Sequence, residues 1–329
     1  MVATMATETP AVPVTQKEDK LQKALKGLVD IRKKPLLLLN MDHVAPPSSL
    51  LTATELRSKS FSELDVVLHT PGGHIETAYK IVKLLRQHAK KVNIIVPAYA
   101  KSAGTLISLA GENLVMSTTS ELGPLDVQIP EHQDGDVDTY KSALNGYKAL
   151  EQVQRHAIEN FDAAVQLIMH RTGGRMRLQD VIKFAIDFSS NTSGDLYRQL
   201  HPKSIAEYAR SLDVGEQYGT RILTRYMGWQ KDKAARVIQR MVYTYPSHEF
   251  IIDSEELTEL GFHIEAPKGD ESSSIETIGI LLLMRQLPEG QQQEVKLYEF
   301  TESTSGKAQN EPTKKSKSRH NEKSTKKTK

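Results

Sequence analysis

Hydrophobic and polar positions predict alternating strands and helices in the first half of the chain. Four short apolar runs have the character of buried strands: Leu36–Met41, Leu64–Leu68, Val92–Val96 and Asn113–Met116. Between the second and third runs, Ile75, Tyr79 and Val82 recur at helical spacing. Between the third and fourth runs, a short helix is predicted over 105–110. This order predicts βαβ units, and right-handed crossovers place their strands in one parallel sheet.

From residue 138 onward the pattern predicts mainly helices. Their expected bounds are Tyr140–Met169, Leu178–Phe188, Lys203–Tyr226 and Lys231–Val242. These helices form either a separate domain or, as we expect, a layer that mostly wraps the same sheet. Short strands at Phe250–Ile252 and Phe262–Glu265 flank a small helix, and a serine-capped helix over Ser274–Leu287 is the last expected element.

The composition narrows the class of protein. The chain has 329 residues and no cysteine, which excludes disulfides, cysteine nucleophiles and thiolate metal sites and favours a reducing compartment. The N-terminal residues lack the basic start and apolar core of a signal peptide. No apolar run approaches the ~20 residues of a membrane-spanning helix. The sequence therefore predicts a cytoplasmic protein without a transmembrane segment.

Composition also divides the chain into three parts. Residues 1–18 are expected to be a disordered lead, 19–300 a folded domain, and 303–329 a disordered tail. The tail carries eight Lys and one Arg against two Glu. Such a tail attracts nucleic acid or an anionic surface, or it serves only to keep the protein in solution.

Two strand-to-helix crossings carry candidate chemistry. After the strand 64–68 comes Thr-Pro-Gly-Gly, whose Gly72 and Gly73 permit a turn that aims backbone N–H groups at one point; it is an anion site or a plain turn. The next crossing places Ser102 between small residues, where it is either a nucleophile or a helix cap. Because the carboxyl ends of adjacent parallel strands meet at one edge, we expect the two crossings to lie together.

These motifs resemble a known group of enzymes. The stretches TPGGHIETAYKIVKLL, AKSAGTLISLAG and SELGPLD, in this order, are similar to the Clp-type and signal-peptide-peptidase serine proteases of the crotonase-like superfamily. Within that group, the resemblance points to the serine dehydrogenase proteinase branch and the proteases encoded beside stomatin. The similarity covers about residues 34–130, and residues 247–262 show a weaker similarity to the same group. It implies an α/β spiral of ββα units with a helix-rich C-terminal half, an oligomeric assembly and serine peptidase activity.

The resemblance also implies roles for single residues. Ser102 is the expected nucleophile, and the N–H groups of Gly72, Gly73 and Ala103 are the expected oxyanion hole. No histidine follows at the Clp-type position, where the chain reads GPLDVQ. Relatives with a Ser-Lys dyad place a lysine near the start of the next long helix, which corresponds to Lys141, either a general base or an ordinary surface lysine.

Two further residues have open roles. For Asp126 three roles are open: it orients a base, it forms a hydrogen bond at the rim of the site, or it ends a turn. His248 is a base, a hydrogen-bonding group at the rim or a structural histidine. No histidine spacing indicates a metal site, and no cofactor is expected.

The expected function is hydrolysis of peptide bonds in a peptide or protein substrate, through an acyl-enzyme on Ser102, by a homo-oligomeric enzyme. The alternatives are an inactive scaffold of the same fold and crotonase-type acyl-thioester chemistry.

Overall fold

The computed structural model describes residues 14–125, 128–131, 139–285 and 292–300. For residues 14–19, 128–131 and 139–141 it describes only the backbone. Helix α1 begins at Val14, inside the expected lead, and the Lys-rich tail 303–329 lies outside the described residues. Among the described helices, none is long and apolar enough to cross a membrane.

A six-stranded sheet forms the centre of the fold. Its strand order is β10-β1-β2-β3-β5-β9, with β10 antiparallel at one edge and all other pairs parallel. The strand bounds are β1 Leu36–Met41, β2 Phe61–His69, β3 Ala89–Val96, β5 Asn113–Met116, β9 Ile264–Glu265 and β10 Gln293–Tyr298. Strand β1 is wholly buried, and β2, β3 and β5 are buried over their last six, five and three residues, which explains the apolar runs there.

Short strands beyond the ends of the main strands form a second ladder. Strand β4, Tyr99–Ala100, pairs in parallel with β6, Glu121–Leu122, and single bridges join Thr70 to Ala100 and Leu122 to Ile252. Strands β2 and β3 are thus each followed by a short extended piece and then a helix. A separate hairpin pairs β7, Gln128–Glu131, with β8, Thr139–Ser142.

Helices cover both faces of the sheet. Their bounds are α1 Val14–Arg32, α2 Pro46–Leu56, α3 Ile75–His88, α4 Ala103–Ser108, α5 Ala143–Thr172, α6 Leu178–Arg198, α7 Pro202–Arg225, α8 Lys231–Gln239, α9 Ser254–Glu259 and α10 Asp270–Leu283. Helices α1 and α10 enclose the smaller core on one face, and α3, α4, α7 and α8 contribute to the larger core on the other. The α/β class with a helix-rich C-terminal half is confirmed.

Helices α5 and α6 form an antiparallel pair, which we call the arm. Helix α7 contributes Leu212 and Ile222 to the larger core, whereas no residue of α6 belongs to either core. Helix α6 packs chiefly on α5, where the Ser189 hydroxyl donates to the Ala157 carbonyl at 2.7 Å. The expectation that most C-terminal helices wrap the sheet therefore holds for α7 and α8 but not for α6.

Some predicted elements were wrong in detail. The last helix begins at Asp270 after Gly269 and not at Ser274, so no serine caps it. The expected strand over 250–252 is reduced to the single bridge at Ile252. Helix α8 is followed by a π-helical turn, Arg240–Thr244, whose Met241 carbonyl accepts the N–H of Leu125 at 2.9 Å.

A buried charge cluster joins α1 and α10 to the central sheet. Arg32, at the end of α1, pairs with the fully buried Asp65 of β2 and with Glu271 at the start of α10. Asn93 of β3 donates to the same Asp65 carboxylate at 2.6 Å. Because an unpaired buried charge is costly, this cluster fixes where α1 and α10 lie on the sheet.

Candidate active site

Ser102 occupies the turn between β4 and α4 in a strained conformation. Its φ is 49° and its ψ is −112°, and it is 5% exposed. A positive φ is unusual for a residue with a Cβ and costs on the order of 1–3 kcal/mol. A serine held in this way at a strand-to-helix turn is the geometry that presents a nucleophilic hydroxyl above a sheet.

Gly72 lies directly against Ser102. A Cβ placed on Gly72, whose φ is +122°, would come within 2.8 Å of the Ser102 Cβ. Gly73 has a φ of +142°, and a Cβ there would lie 2.5 Å from the Val44 carbonyl oxygen. Both positions require glycine for the close approach of backbone to backbone. The structure thus brings the two predicted crossings together at one edge of the sheet.

The N–H groups near Ser102 differ in their availability. The N–H of Gly72 donates to the Thr70 hydroxyl at 3.2 Å. The N–H groups of Gly73 and Ala103 have no hydrogen-bond partner within the described part of the chain. Of the three donors implied by the resemblance, Gly73 and Ala103 are therefore the two that could receive an oxyanion.

A buried threonine holds the serine turn to the following loop. The Thr105 hydroxyl lies 2.9 Å from the Ala100 carbonyl and 2.8 Å from the Gly123 carbonyl, and it accepts the Gly123 N–H at 3.2 Å. Thr105 was not predicted from the sequence, although a threonine in the first turn of α4 is a usable signal. Lys101, buried beside it, places its ammonium 2.8 Å from Glu121.

Three histidines lie around the Gly-Gly turn. His43 and His74 pack edge to face with ring centroids 5.3 Å apart, and burial with the nearby His74 lowers the pKa of His43. His69, at the end of β2, is 6% exposed and packs against the Tyr99 ring at 4.3 Å. Its Nδ1 has no hydrogen-bond partner among the described residues. Burial lowers the pKa of His69 to about 4, so its imidazole is neutral at pH 7.

The buried neutral His69 predicts a loss of stability in mild acid. An unfolded histidine titrates near pH 6.5, so the unfolded chain binds more protons than the folded one between pH 6.5 and about 4. Stability is complete above pH 6.5 and falls as the pH drops. At pH 5 the loss from this residue is about 2 kcal/mol. Urea unfolding at pH 7 and pH 5 measures it.

His69→Phe is the variant that tests this expectation, because it keeps a ring against Tyr99 and removes the titration. The stability difference between pH 7 and pH 5 is expected to shrink by about 2 kcal/mol relative to wild type. His201→Gln, at an exposed position, controls for the removal of a histidine. An unchanged difference in His69→Phe would contradict the account.

The candidate bases lie in parts of the chain described to different extents. Lys141 is in strand β8, just before the Ser142 cap of α5, and its side chain lies outside what the structure describes. Asp126 lies outside the described residues. His248 is half-buried, four residues before Ile252, which exchanges two backbone hydrogen bonds of 3.0 Å with Leu122. His248 therefore belongs to a segment that pairs with β6, and β6 pairs in turn with β4, the strand just before Ser102.

Comparison with known families bears on this site. Residues 48–145 match the model of the ClpP-like SDH-type serine proteinases. The chain resembles this family over that segment, which we call the SDH-type segment. It contains Gly72, Gly73, Ser102 and Lys141, whereas His248 lies outside it. The resemblance predicted from the sequence motifs is confirmed.

Two proteins similar in sequence match this chain over a short segment. Uncharacterized protein MJ0137 of Methanocaldococcus jannaschii is 42% identical over 69 residues, which cover 21% of this chain and 24% of that protein. Uncharacterized protein MJ1495 of the same organism is 38% identical over 69 residues, with the same coverage of 21% and 24%. The matched part thus spans about a quarter of the length of each relative.

Solved structures give more distant likenesses. ClpP1 from Listeria monocytogenes is similar with a TM-score of 0.34 and 12% identity, over 74% of this chain and 96% of that chain. A mutant of the 1510-N membrane-bound stomatin-specific protease gives a TM-score of 0.37 and 14% identity, over 70% and 78% of the two chains. The family match over the SDH-type segment is therefore the comparison on which the resemblance rests.

Proposed function

We propose that the protein is a serine peptidase that cleaves peptide bonds through an acyl-enzyme on Ser102. The observation that carries the proposal is the backbone of Ser102, held at a positive φ beside the N–H groups of Gly73 and Ala103, which have no hydrogen-bond partner among the described residues. A structural cap has no need of this strain, since a serine caps a helix from an ordinary extended conformation. Strain that the surroundings maintain is typical of functional positions.

The reaction follows from this arrangement. The Ser102 Oγ attacks the carbonyl carbon of the scissile peptide while a base takes the hydroxyl proton. The carbonyl oxygen becomes an oxyanion, which accepts hydrogen bonds from the N–H groups of Gly73 and Ala103. Collapse of the intermediate breaks the C–N bond, and the protonated base gives its proton to the leaving amine. Water activated by the same base then hydrolyses the ester and restores Ser102.

We propose Lys141 as this base, since it lies in the SDH-type segment and just before the α5 cap. To accept a proton from serine near pH 7, its ammonium must lose most of its hydration, because desolvation lowers the pKa of a lysine. His248 is the second candidate, supported by the bridge that brings its segment to the short-strand ladder.

The experiment removes each base in turn. Lys141→Met is expected to lower kcat for cleavage of an unstructured protein such as casein by at least ~100-fold, the usual contribution of a general base. Lys148→Met, which removes a lysine seven residues further on, in α5, is the matched control and should retain wild-type activity. The same loss in His248→Gln, with Lys141→Met active, would move the base to His248. Wild-type protein that cleaves no peptide bond in casein would contradict the peptidase proposal itself.

A further inference from the structure

The arm exposes an unusual number of large apolar side chains. Ten lie on α5 and α6, each at least 37% exposed, and five of them are within the first half of α6: Leu178, Ile182, Phe184, Ile186 and Phe188. Exposed apolar residues in such a cluster mark an interaction surface, and a helix that is apolar on several sides is normally covered on them.

These side chains fall on two faces of the arm. Val181, Ala185, Ser189 and Ser193 recur every four residues and are buried against α5. At helical spacing, Phe184 and Phe188 lie on one flank of that buried row, whereas Ile182 and Ile186 lie on the other. The Phe flank and the Ile flank can therefore be altered separately, with the buried row of α6 left unchanged.

The Phe flank borders a groove between the two helices. Its volume is about 250 Å³, and only apolar residues line it: Ala163, Ala164, Leu167, Ile168, Phe184 and Phe188. The lining thus combines two small side chains, both alanine, with four large ones. One surface thus offers both protruding rings and a recess that can receive them. Such self-complementarity is what an isologous contact between two identical surfaces needs.

Charge along the arm distinguishes two ways of pairing. The tip of the arm is the end where α5 turns into α6. Toward this tip, four cations outnumber one carboxylate, Asp180: Arg171, Arg175, Arg177 and Lys183. Before the groove, acidic residues outnumber basic ones: Glu151, Glu159, Asp162, Asp187 and Asp195 against Lys148, Arg155 and Arg198. Two parallel arms would place the basic tips together. Antiparallel arms place each basic tip against the acidic part of the other arm.

We infer that the groove joins two copies of this chain, whose arms pack side by side and antiparallel with the Phe184 and Phe188 rings of each in the groove of the other. The Lys-rich tail does not suit the groove, because residues 303–329 contain no Leu, Ile, Val, Met or aromatic residue. A second copy supplies both the apolar filling and the charge pattern. The contact concerns the arm alone and does not depend on the proposed catalysis.

The first test measures mass by light scattering after size-exclusion chromatography of the full chain. The double variant Phe184→Asp, Phe188→Asp is expected to lower the mass of the wild-type assembly at least twofold. Ile186→Asp is the matched control, since Ile186 is 50% exposed and Phe188 is 49% exposed on the same helix. This control should keep the wild-type mass. A wild-type chain that is monomeric at every concentration, or a double variant with unchanged mass, would overturn the inference.

The second test uses the absence of cysteine from the chain. Ala163→Cys, exposed in the groove and close to the inferred twofold axis, is expected to form a disulfide-linked dimer under mild oxidation. Arg177→Cys, at the tip, is expected to remain unlinked because antiparallel arms keep the two tips apart. Linkage through Arg177→Cys equal to that through Ala163→Cys would overturn the antiparallel arrangement. Failure of Ala163→Cys to link would overturn the contact itself, whatever the fate of the double variant.

Discussion

The Ser102→Ala protein is expected to lose at least about 10⁴-fold in the rate of peptide hydrolysis while remaining folded. Loss of the Oγ removes the atom that forms the acyl-enzyme, and neither Gly73 nor Ala103 can replace it. The backbone strain at φ 49° remains in alanine, so the free energy of unfolding should change by less than about 1 kcal/mol. Initial rates on casein and urea unfolding measure the two quantities.

Ser108→Ala is the matched control for this substitution. Ser108 is also buried in α4, where its hydroxyl donates to the Gly104 carbonyl at 3.0 Å. Its removal costs about 1 kcal/mol of stability and is expected to leave hydrolysis within a few-fold of wild type. Equal activity in Ser102→Ala and Ser108→Ala would rule out Ser102 as the nucleophile.

Gly73→Ala is expected to lower kcat by about 10²–10³-fold, the usual effect of losing one oxyanion donor. The new Cβ would lie 2.5 Å from the Val44 carbonyl oxygen and 2.6 Å from the Val44 nitrogen, so the backbone must move. The bridge between Val44 and Gly73 would break, and the Gly73 N–H would leave its place beside Ser102. Stability should also fall by about 1–3 kcal/mol, since φ is +142° here. Casein hydrolysis and urea unfolding measure both effects.

Gly27→Ala separates this effect from the general consequences of adding a methyl group. A Cβ on Gly27 meets no atom within 4 Å, and Gly27 lies within α1. This variant should gain about 0.5–1 kcal/mol in stability from helix propensity and keep full activity. A Gly73→Ala enzyme with wild-type kcat would show that the Gly73 N–H takes no part in the reaction.

The inner part of the fold follows closely from the sequence. The predicted bounds of β1 and β5 agree with the structure, because a strand buried on both faces is a continuous apolar run that ends where burial ends. Helix α3 follows from its apolar spacing, with Ile75, Val82 and Leu85 all buried. These elements are determined by local patterns that the core then satisfies.

Other elements have no such local pattern. Helix α2 begins with two prolines, which are typical of a turn but suit the first turn of a helix, where no N–H donor is needed. Strand β10 is mostly half-buried and alternates charged with apolar residues; the Leu297 N–H is satisfied by the Glu55 carboxylate at 2.9 Å. Its place beside β1 depends on contacts with residues more than 200 positions away.

The candidate site divides in the same way. Glycines and a serine at two strand ends are readable in the sequence, and the parallel sheet brings them together. The positive φ of Ser102 is not readable, because serine carries no local signal for it. The sequence also gives no sign that the N–H groups of Gly72 and Gly73 differ. They differ because the Thr70 hydroxyl accepts the N–H of Gly72.

The central claim is that Ser102 carries an activated hydroxyl, and covalent labelling tests it most directly. A fluorophosphonate reacts with a serine whose proton a base removes and whose tetrahedral adduct an oxyanion hole stabilises. The full-length protein is treated with excess reagent, digested and mapped by mass spectrometry. The account predicts one phosphonylated site, Ser102, with Ser108 and Ser117 unmodified. Folded protein that leaves Ser102 unmodified, or that labels its buried serines equally, would contradict the account.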